Sequence, residues 1–381
     1  MNITTPTVAV AVLTCATHAQ VNLIDLLPGY TLGHIQGISA DGSTLATDMY
    51  VVDRGGYDAY AWRDGGWNSL PRYGTWNNWQ GVSSNGETTL SVSSQMGGNP
   101  RLVRFENGVR DDITYGLDGL QIFAGLTRDG QDVFYSQSTE PGGLINLYHY
   151  HANSFGSTHI ATLSDRFVRS EGVLVGERDD FFVVNAQTRT YEPGDVGETR
   201  ALIYNAGTLT EIPGLTELEA VNYAATAMTA DGSTIVGVER ILSFDDFSSS
   251  ERSWIYRDGI TTELNFDGFS RVSIQSITDD ATTMVGYGSR AEDDSTSFLF
   301  YNDGRVFSAS DLLSLNGVVL ELGEDAAIQG ISADGSTVYG VINRGTFSPF
   351  GPEFTLFTVS VPAPSALLPL AGLAALARRR R

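Results

Sequence analysis

Ile38-Ser39-Ala40-Asp41-Gly42-Ser43-Thr44-Leu45 returns almost unchanged twice, as Met228-Thr229-Ala230-Asp231-Gly232-Ser233-Thr234-Ile235 and as Ile331-Ser332-Ala333-Asp334-Gly335-Ser336-Thr337-Val338. Looser copies are Val82-Ser83-Ser84-Asn85-Gly86, Leu126-Thr127-Arg128-Asp129-Gly130 and Ile277-Thr278-Asp279-Asp280-Ala281, and a decayed copy runs from Glu171 to Gly176 around Gly172. Most set Asp-Gly or Asn-Gly between β-prone runs, the pattern of a tight hairpin. Glycine accepts positive φ at little cost, and Asp or Asn tolerates it.

A second phrase follows each corner. Tyr60-Ala61-Trp62-Arg63-Asp64-Gly65 is matched around Phe105-Gly108, Tyr204-Gly207, Tyr256-Gly259 and Tyr301-Gly304. An aromatic three residues ahead of a turn glycine suits a strand entering a hairpin. Short strands such as Thr208 to Ile212 and Thr261 to Leu264 come next, so each unit holds about four strands. The second strand of a unit, as in Thr234 to Val238, is a nearly unbroken apolar run, which predicts burial on both faces.

Four short strands repeated every 40 to 50 residues or so are the signature of β-propeller blades. The expected fold is all-β: a β-propeller of seven four-stranded blades, with six or eight blades or an open β-solenoid as alternatives. The last unit reaches only its third strand at Phe354 to Val359. Val21 to Leu26 is the expected fourth, so that N- and C-terminal strands share one blade and close the ring. The repeats resemble the HAF-type extracellular repeats of bacterial surface proteins over about residues 30–360. The nearest match to the His-Ala-Phe tripeptide is Tyr60-Ala61-Trp62. That resemblance implies a surface-exposed propeller-like fold and assigns no catalytic residue.

The C-terminal 21 residues have a separate logic. Val361-Pro362-Ala363-Pro364-Ser365 precedes an apolar run to Ala377 and a terminal block, Arg378-Arg379-Arg380-Arg381. The apolar run is well short of the roughly 20 residues that span a bilayer, and the arginines favour the cytoplasmic side. Residues 361–381 resemble a PEP-CTERM sorting signal, with Ala363 where that family has Glu. The resemblance implies a short hydrophobic helix and processing by an exosortase in a Gram-negative-type bacterium. At the other end, an apolar core from Val8 to Leu13 and Thr17-His18-Ala19 read as a signal peptide over residues 1–19, cleaved before Gln20. Cys15 faintly resembles a lipoprotein box. The expected organisation is therefore signal peptide 1–19, propeller 20–360 and sorting segment 361–381. The expected route is export through the Sec translocon to the cell envelope, cell surface or extracellular matrix, with transient membrane contact.

Composition sets further bounds. The chain of 381 residues has no lysine and a single cysteine, Cys15, so a disulfide framework is excluded from the body. Without the terminal block, nineteen arginines face 45 carboxylates, a formal charge of −26. Such a field repels nucleic acid and anionic lipid.

Chemistry is scarce. Nucleophile elbow, phosphate loop, His-Glu-x-x-His and Cys-x-x-Cys motifs are absent from the sequence. No catalytic or cofactor-binding residue is assigned. His149 and His151 fall on one face of a strand, with His159 nearby, as candidate metal ligands that need a third donor to converge. Acidic pairs at Asp179-Asp180, Asp245-Asp246 and Glu292-Asp293-Asp294 offer oxygen to Ca²⁺, but none has the spacing of a calcium loop, and solvated charge is the default reading. Trp62, Trp67, Trp76 and Trp79, read together with Tyr73 as a long loop, form a candidate stacking platform for sugar rings, set against the reading that they fill a gap between blades. The function expected is a non-enzymatic structural or ligand-binding propeller, with extracellular polysaccharide as a candidate partner. Alternatives are a polysaccharide-active enzyme on the same scaffold and a calcium-stabilised adhesin.

Overall fold

A computed structural model describes residues 21–361, apart from 52, 54, 70–75, 95–99, 108, 115–120, 139–142, 155, 190–196, 216–221, 243–248, 291–295, 302–303 and 349–350. The signal-peptide stretch and positions 362–381 lie outside the described residues.

After β1 (Val21–Asp25), the first sheet consists of β2 (Tyr30–Ile38), β3 (Leu45–Val51), β4 (Gly56–Arg63) and β5 (Gly66–Ser69). The second contains β6 (Trp76–Val82), β7 (Thr88–Ser94), β8 (Arg101–Glu106) and β9 (Val109–Asp112). The third contains β10 (Gln121–Leu126), β11 (Asp132–Ser138), β12 (Ile145–His151) and β13 (Thr158–Thr162). Two further runs follow: β14 (Phe167–Val175), β15 (Phe181–Thr188), β16 (Thr199–Asn205) and β17 (Thr208–Glu211), then β18 (Asn222–Met228), β19 (Thr234–Leu242), β20 (Ser249–Arg257) and β21 (Ile260–Leu264). The sixth run is β22 (Arg271–Ile277), β23 (Thr283–Ser289), β24 (Thr296–Tyr301) and β25 (Val306–Ser308). A helical turn, α1 (Ala309–Leu315), leads to β26 (Asp325–Ile331), β27 (Thr337–Ser348) and β28 (Gly351–Ser360).

Within each run neighbouring strands pair antiparallel, and the first strands of successive runs meet around a ring. The fold is a β-propeller. Its sheet count differs from the seven separate sheets expected: five four-stranded sheets stand alone, and β14 to β21 merge into one eight-stranded sheet. The two four-strand runs of that sheet are joined at one parallel bridge, Thr199 to Asn222, where the Thr199 hydroxyl also donates to the Asn222 side-chain oxygen at 2.9 Å.

The ring closes as the sequence predicts. β1 lies against β28, with Val21 opposite Val359 and Asp25 opposite Thr355. Apolar cores lie between neighbouring runs rather than inside any one. Leu90 and Leu102 pack with Ile122, Val133 and Tyr135, and Ile24 and Leu356 with Leu45. Second strands are accordingly buried on both faces; every residue of β11 is buried.

The corners do join paired antiparallel strands, but by a longer loop than a tight hairpin has. Ile38 pairs with Leu45, leaving a loop of Ser39 to Thr44. The Ser39 hydroxyl donates to Asp41 Oδ1 (2.7 Å) and accepts from the Thr44 N–H (2.9 Å), while Asp41 also accepts from the Ser43 N–H (3.0 Å). The same wiring recurs around Asn85, Asp129, Asp231, Asp280 and Asp334. The two-residue turns lie instead in the second phrase, where Asp64 and Gly65, Ala206 and Gly207, and Asp258 and Gly259 all have positive φ, as type I′ turns require. The decayed corner is misplaced too. Gly172 lies inside β14, and the actual loop spans 176 to 181, since Val175 pairs with Phe182.

Candidate binding site on the ring axis

The first strand of each run lines the axis. Along β22, Val272, Ile274 and Ile277 are buried, whereas Arg271 and Gln275 are exposed and Ser273 half-buried. A strand that packs sideways on its neighbours leaves its other face to the axis. By the same alternation β26 turns Asp325, Ala327 and Gln329 inward, and β18 turns Ala224 and Thr226 inward.

Five of these strands skip one residue of their ladder just before the corner. The skipped positions are Gln36, Gln80, Thr226, Gln275 and Gln329. A bulge leaves the extra residue unpaired and re-aims its side chain. Thr226 Oγ1 donates to the Ile274 carbonyl at 2.6 Å, tying two runs together, and Gln275 Nε2 donates to Ser273 Oγ at 2.8 Å. Sequence reasoning missed these positions. The available signal was the Gln two residues ahead of the apolar residue that opens four of the corner phrases.

The corners meet at one end of the axis, each contributing its second residue: Ala40, Ser84, Arg128, Glu177, Ala230, Asp279 and Ala333. Main-chain hydrogen bonds link most of them in order. Ala40 N–H donates to Ser84 O (3.2 Å), Ser84 to Arg128 (2.6 Å), Glu177 to Ala230 (2.7 Å) and Asp279 to Ala333 (2.9 Å), and Asp334 N–H returns to Ala40 O (3.3 Å). The Ala230 N–H is received by Asp279 Oδ1 at 3.0 Å. Arg128 then pairs with Asp279 through both terminal nitrogens of its guanidinium.

The corner carboxylates are structural acceptors. Asp231 is held below the usual carboxylate range by the Ser233 N–H and the Thr229 hydroxyl. At Asp41 and Asp280 partial burial pulls upward, but hydroxyl and N–H donors outweigh it and the net direction is down. A 580 Å³ cavity beside the closing blade is lined by Asp25, Glu321, Glu324, Arg344 and Glu353 among others. There Glu324 is also held low, by the Glu321 N–H and by Arg344, the opposite of what a general acid needs.

The remaining sequence candidates disperse. His149 Nε2 and His151 Nδ1 both lie against Asp132 Oδ1, at 2.7 and 2.8 Å. His159 instead packs edge-on against Tyr148 and bonds Thr162. The register explains the split, because His159 sits opposite Tyr148, whose side chain takes the other face of β12. Among the described residues, no group of three or more His, Cys, Asp or Glu is placed to hold a metal. Asp180 accepts from Arg178, and the other two acidic clusters lie outside the described residues.

The tryptophans occupy strands rather than one long loop, because β5 and β6 claim most of that segment. Trp62 on β4 and Trp67 on β5 pack edge-to-face at 5.4 Å, and Trp67 Nε1 donates to the Asp25 carbonyl at 2.9 Å. Both lie against the closing blade's core. Trp76 and Trp79 belong to β6, on the axial side of the next sheet; Tyr73 lies outside the described residues. Of the sorting motif only Val361 is described, its N–H bonded to the Ser336 carbonyl at 2.7 Å. No helix among the described residues is long and apolar enough to cross a membrane.

No family model and no curated protein matches the sequence. Solved structures do match in fold. The β-propeller domain of the trilobed protease from Pyrococcus furiosus, described as having an open velcro topology, aligns at TM-score 0.55 and 12% identity, over 86% of this chain and 95% of that one. Oligogalacturonate lyase from Vibrio parahaemolyticus aligns at TM-score 0.56 and 12% identity, over 91% and 95%. At such identity the likeness speaks for the propeller fold alone.

Proposed function

We propose that this chain is an exported, non-enzymatic propeller, held at the cell surface or in extracellular polymer by its C-terminal segment, that binds ligand or serves a structural role. The observation that carries the reading is the pairing of Val21 with Val359. It sets Val21 and Val361, the first and last described residues, close together on the closing blade at the corner end of the ring. A tether at that point leaves the far face of the ring free for a ligand. The tail's likeness to a PEP-CTERM signal supplies the sorting step, with an exosortase as processing partner and Sec as the export route. The composition agrees, since a body at −26 resists adsorption to anionic surfaces.

The test is fractionation of cells that make the full chain or a chain ending at Val361. The full chain is expected in the envelope or matrix fraction, and the shortened chain, folded and with an unchanged melting temperature, in the medium. Retention of both forms in the same fraction would refute the sorting role.

A further inference from the structure

Arg128 and Asp279 belong to the third and sixth of the seven four-strand runs around the ring, counted from β2. Two members three steps apart in a ring of seven are as far apart as the ring allows. A direct contact between their side chains must therefore pass across the axis. The contact is a two-pronged guanidinium–carboxylate pair, the geometry that best fixes both partners.

The size of the opening makes this matter. Seven corners, most of them linked by hydrogen bonds, at a strand-like spacing of about 5 Å put the backbone on a circle of radius about 5–6 Å, leaving a bore of about 7 Å once atomic radii are removed. That is wide enough for a small solute. Ala40, Ser84, Ala230 and Ala333 carry side chains too short to reach the centre. Of the three longer corner side chains, Arg128, Glu177 and Asp279, the two that meet across the opening are Arg128 and Asp279. On the outer side, a 420 Å³ depression is lined by Ser84, Arg128, Asp129 and Glu177. One layer to the inner side lie the bulge positions, with Gln275 exposed and Gln329 half-buried.

We propose that the Arg128–Asp279 pair is the floor of a blind axial cup. Solutes reach its wall of amide, hydroxyl and methyl groups, with Arg271 and Asp325 at the far ends of their strands, only from the face opposite the corners. The inference concerns access and stands independently of the export reading. It adds a direction: the cup opens away from the end of the ring that holds Val21 and Val361.

The cysteine-poor sequence gives a clean probe. In a Cys15→Ser background, Gln275→Cys places one thiol just above the floor. Iodoacetamide, small, uncharged and polar, reacts there when the thiolate attacks its methylene carbon, forming a C–S bond and releasing iodide. Arg128→Ala removes the floor while Asp279, too short to span the bore alone, keeps its bond to Ala230. The labelling rate, read by mass spectrometry, is expected to rise at least threefold in Arg128→Ala. An unchanged rate would mean that the pair blocks nothing, and would overturn the proposal. Val272→Cys, on the same strand but buried between runs, is the matched reporter. If it accelerates alongside Gln275→Cys, the pair braces the ring instead of closing it, and the proposal fails on that result too.

Discussion

Asp231 and its counterparts make each corner a small closed circuit. The hydroxyl two residues earlier donates to the carboxylate and accepts an N–H three residues beyond it. A carboxyl whose folded pKa lies below its unfolded value of 3.8 stabilises the fold above that pH. The contribution is lost as the pH falls through the folded value. Asn85 performs the same hydrogen bonding without a charge, so Asp231→Asn keeps the loop and removes the titration. The urea midpoint of Asp231→Asn should fall below wild type at about pH 6, and the gap should narrow as the pH falls below 3.8. A gap that stays constant with pH would detach the corner carboxylate from acid stability.

The two turn types impose different demands on the elements they join. Gly130 at a corner has φ +77°, and a Cβ there would meet Thr88 Cβ of the preceding sheet at 2.6 Å; Gly65 in a hairpin has φ +76° and nothing within 4 Å. Backbone strain is therefore nearly equal and packing is not. Gly65→Ala should cost about 1–2 kcal/mol, and Gly130→Ala about 1–3 kcal/mol more, because two sheets must move apart. Equal costs in denaturant melts would show that corners do not pack sheet on sheet. Strand periodicity and the aromatic-to-glycine spacing were legible in the sequence because they are local. The six-residue length of the corner loop was not legible, because a Ser or Thr hydroxyl rather than backbone alone holds it. Gln36, Gln275 and Gln329 escaped notice because a bulge exists only relative to a partner strand's register. For the same reason nothing in the spacing of His149, His151 and His159 could show that Tyr148 would draw the third one away. The Arg128–Asp279 contact, 151 residues apart in sequence, has no local signature at all.

For the whole molecule, five residues decide whether the ring is closed. β1 contributes Ile24, 1% exposed, to the seam between the first and last sheets, whereas Leu23 beside it is 47% exposed. Ile24→Ala should cost about 2–5 kcal/mol, the range for a fully buried aliphatic, and Leu23→Ala within about 0.5 kcal/mol. Urea midpoints of the two variants check this; equal, small effects would mean that the edge strand is dispensable. The expected function draws on the same closure, since it sets Val21 and Val361 together at one end of the ring.

That closure also orders events in time. Asn22 bonds Thr358 across 336 residues of chain, so the first strand to be made must wait, unpaired, for the last. Joining ends so far apart has an entropic cost that grows only slowly with length, yet contacts this distant in sequence make folding slow. Until β28 emerges, the other sheets can form and stack while the seam stays open, with Leu45 and Tyr339 on its two sides still uncovered. Completion of the ring thus reports that the chain has been delivered as far as Ser360, one residue before the segment read as its address begins.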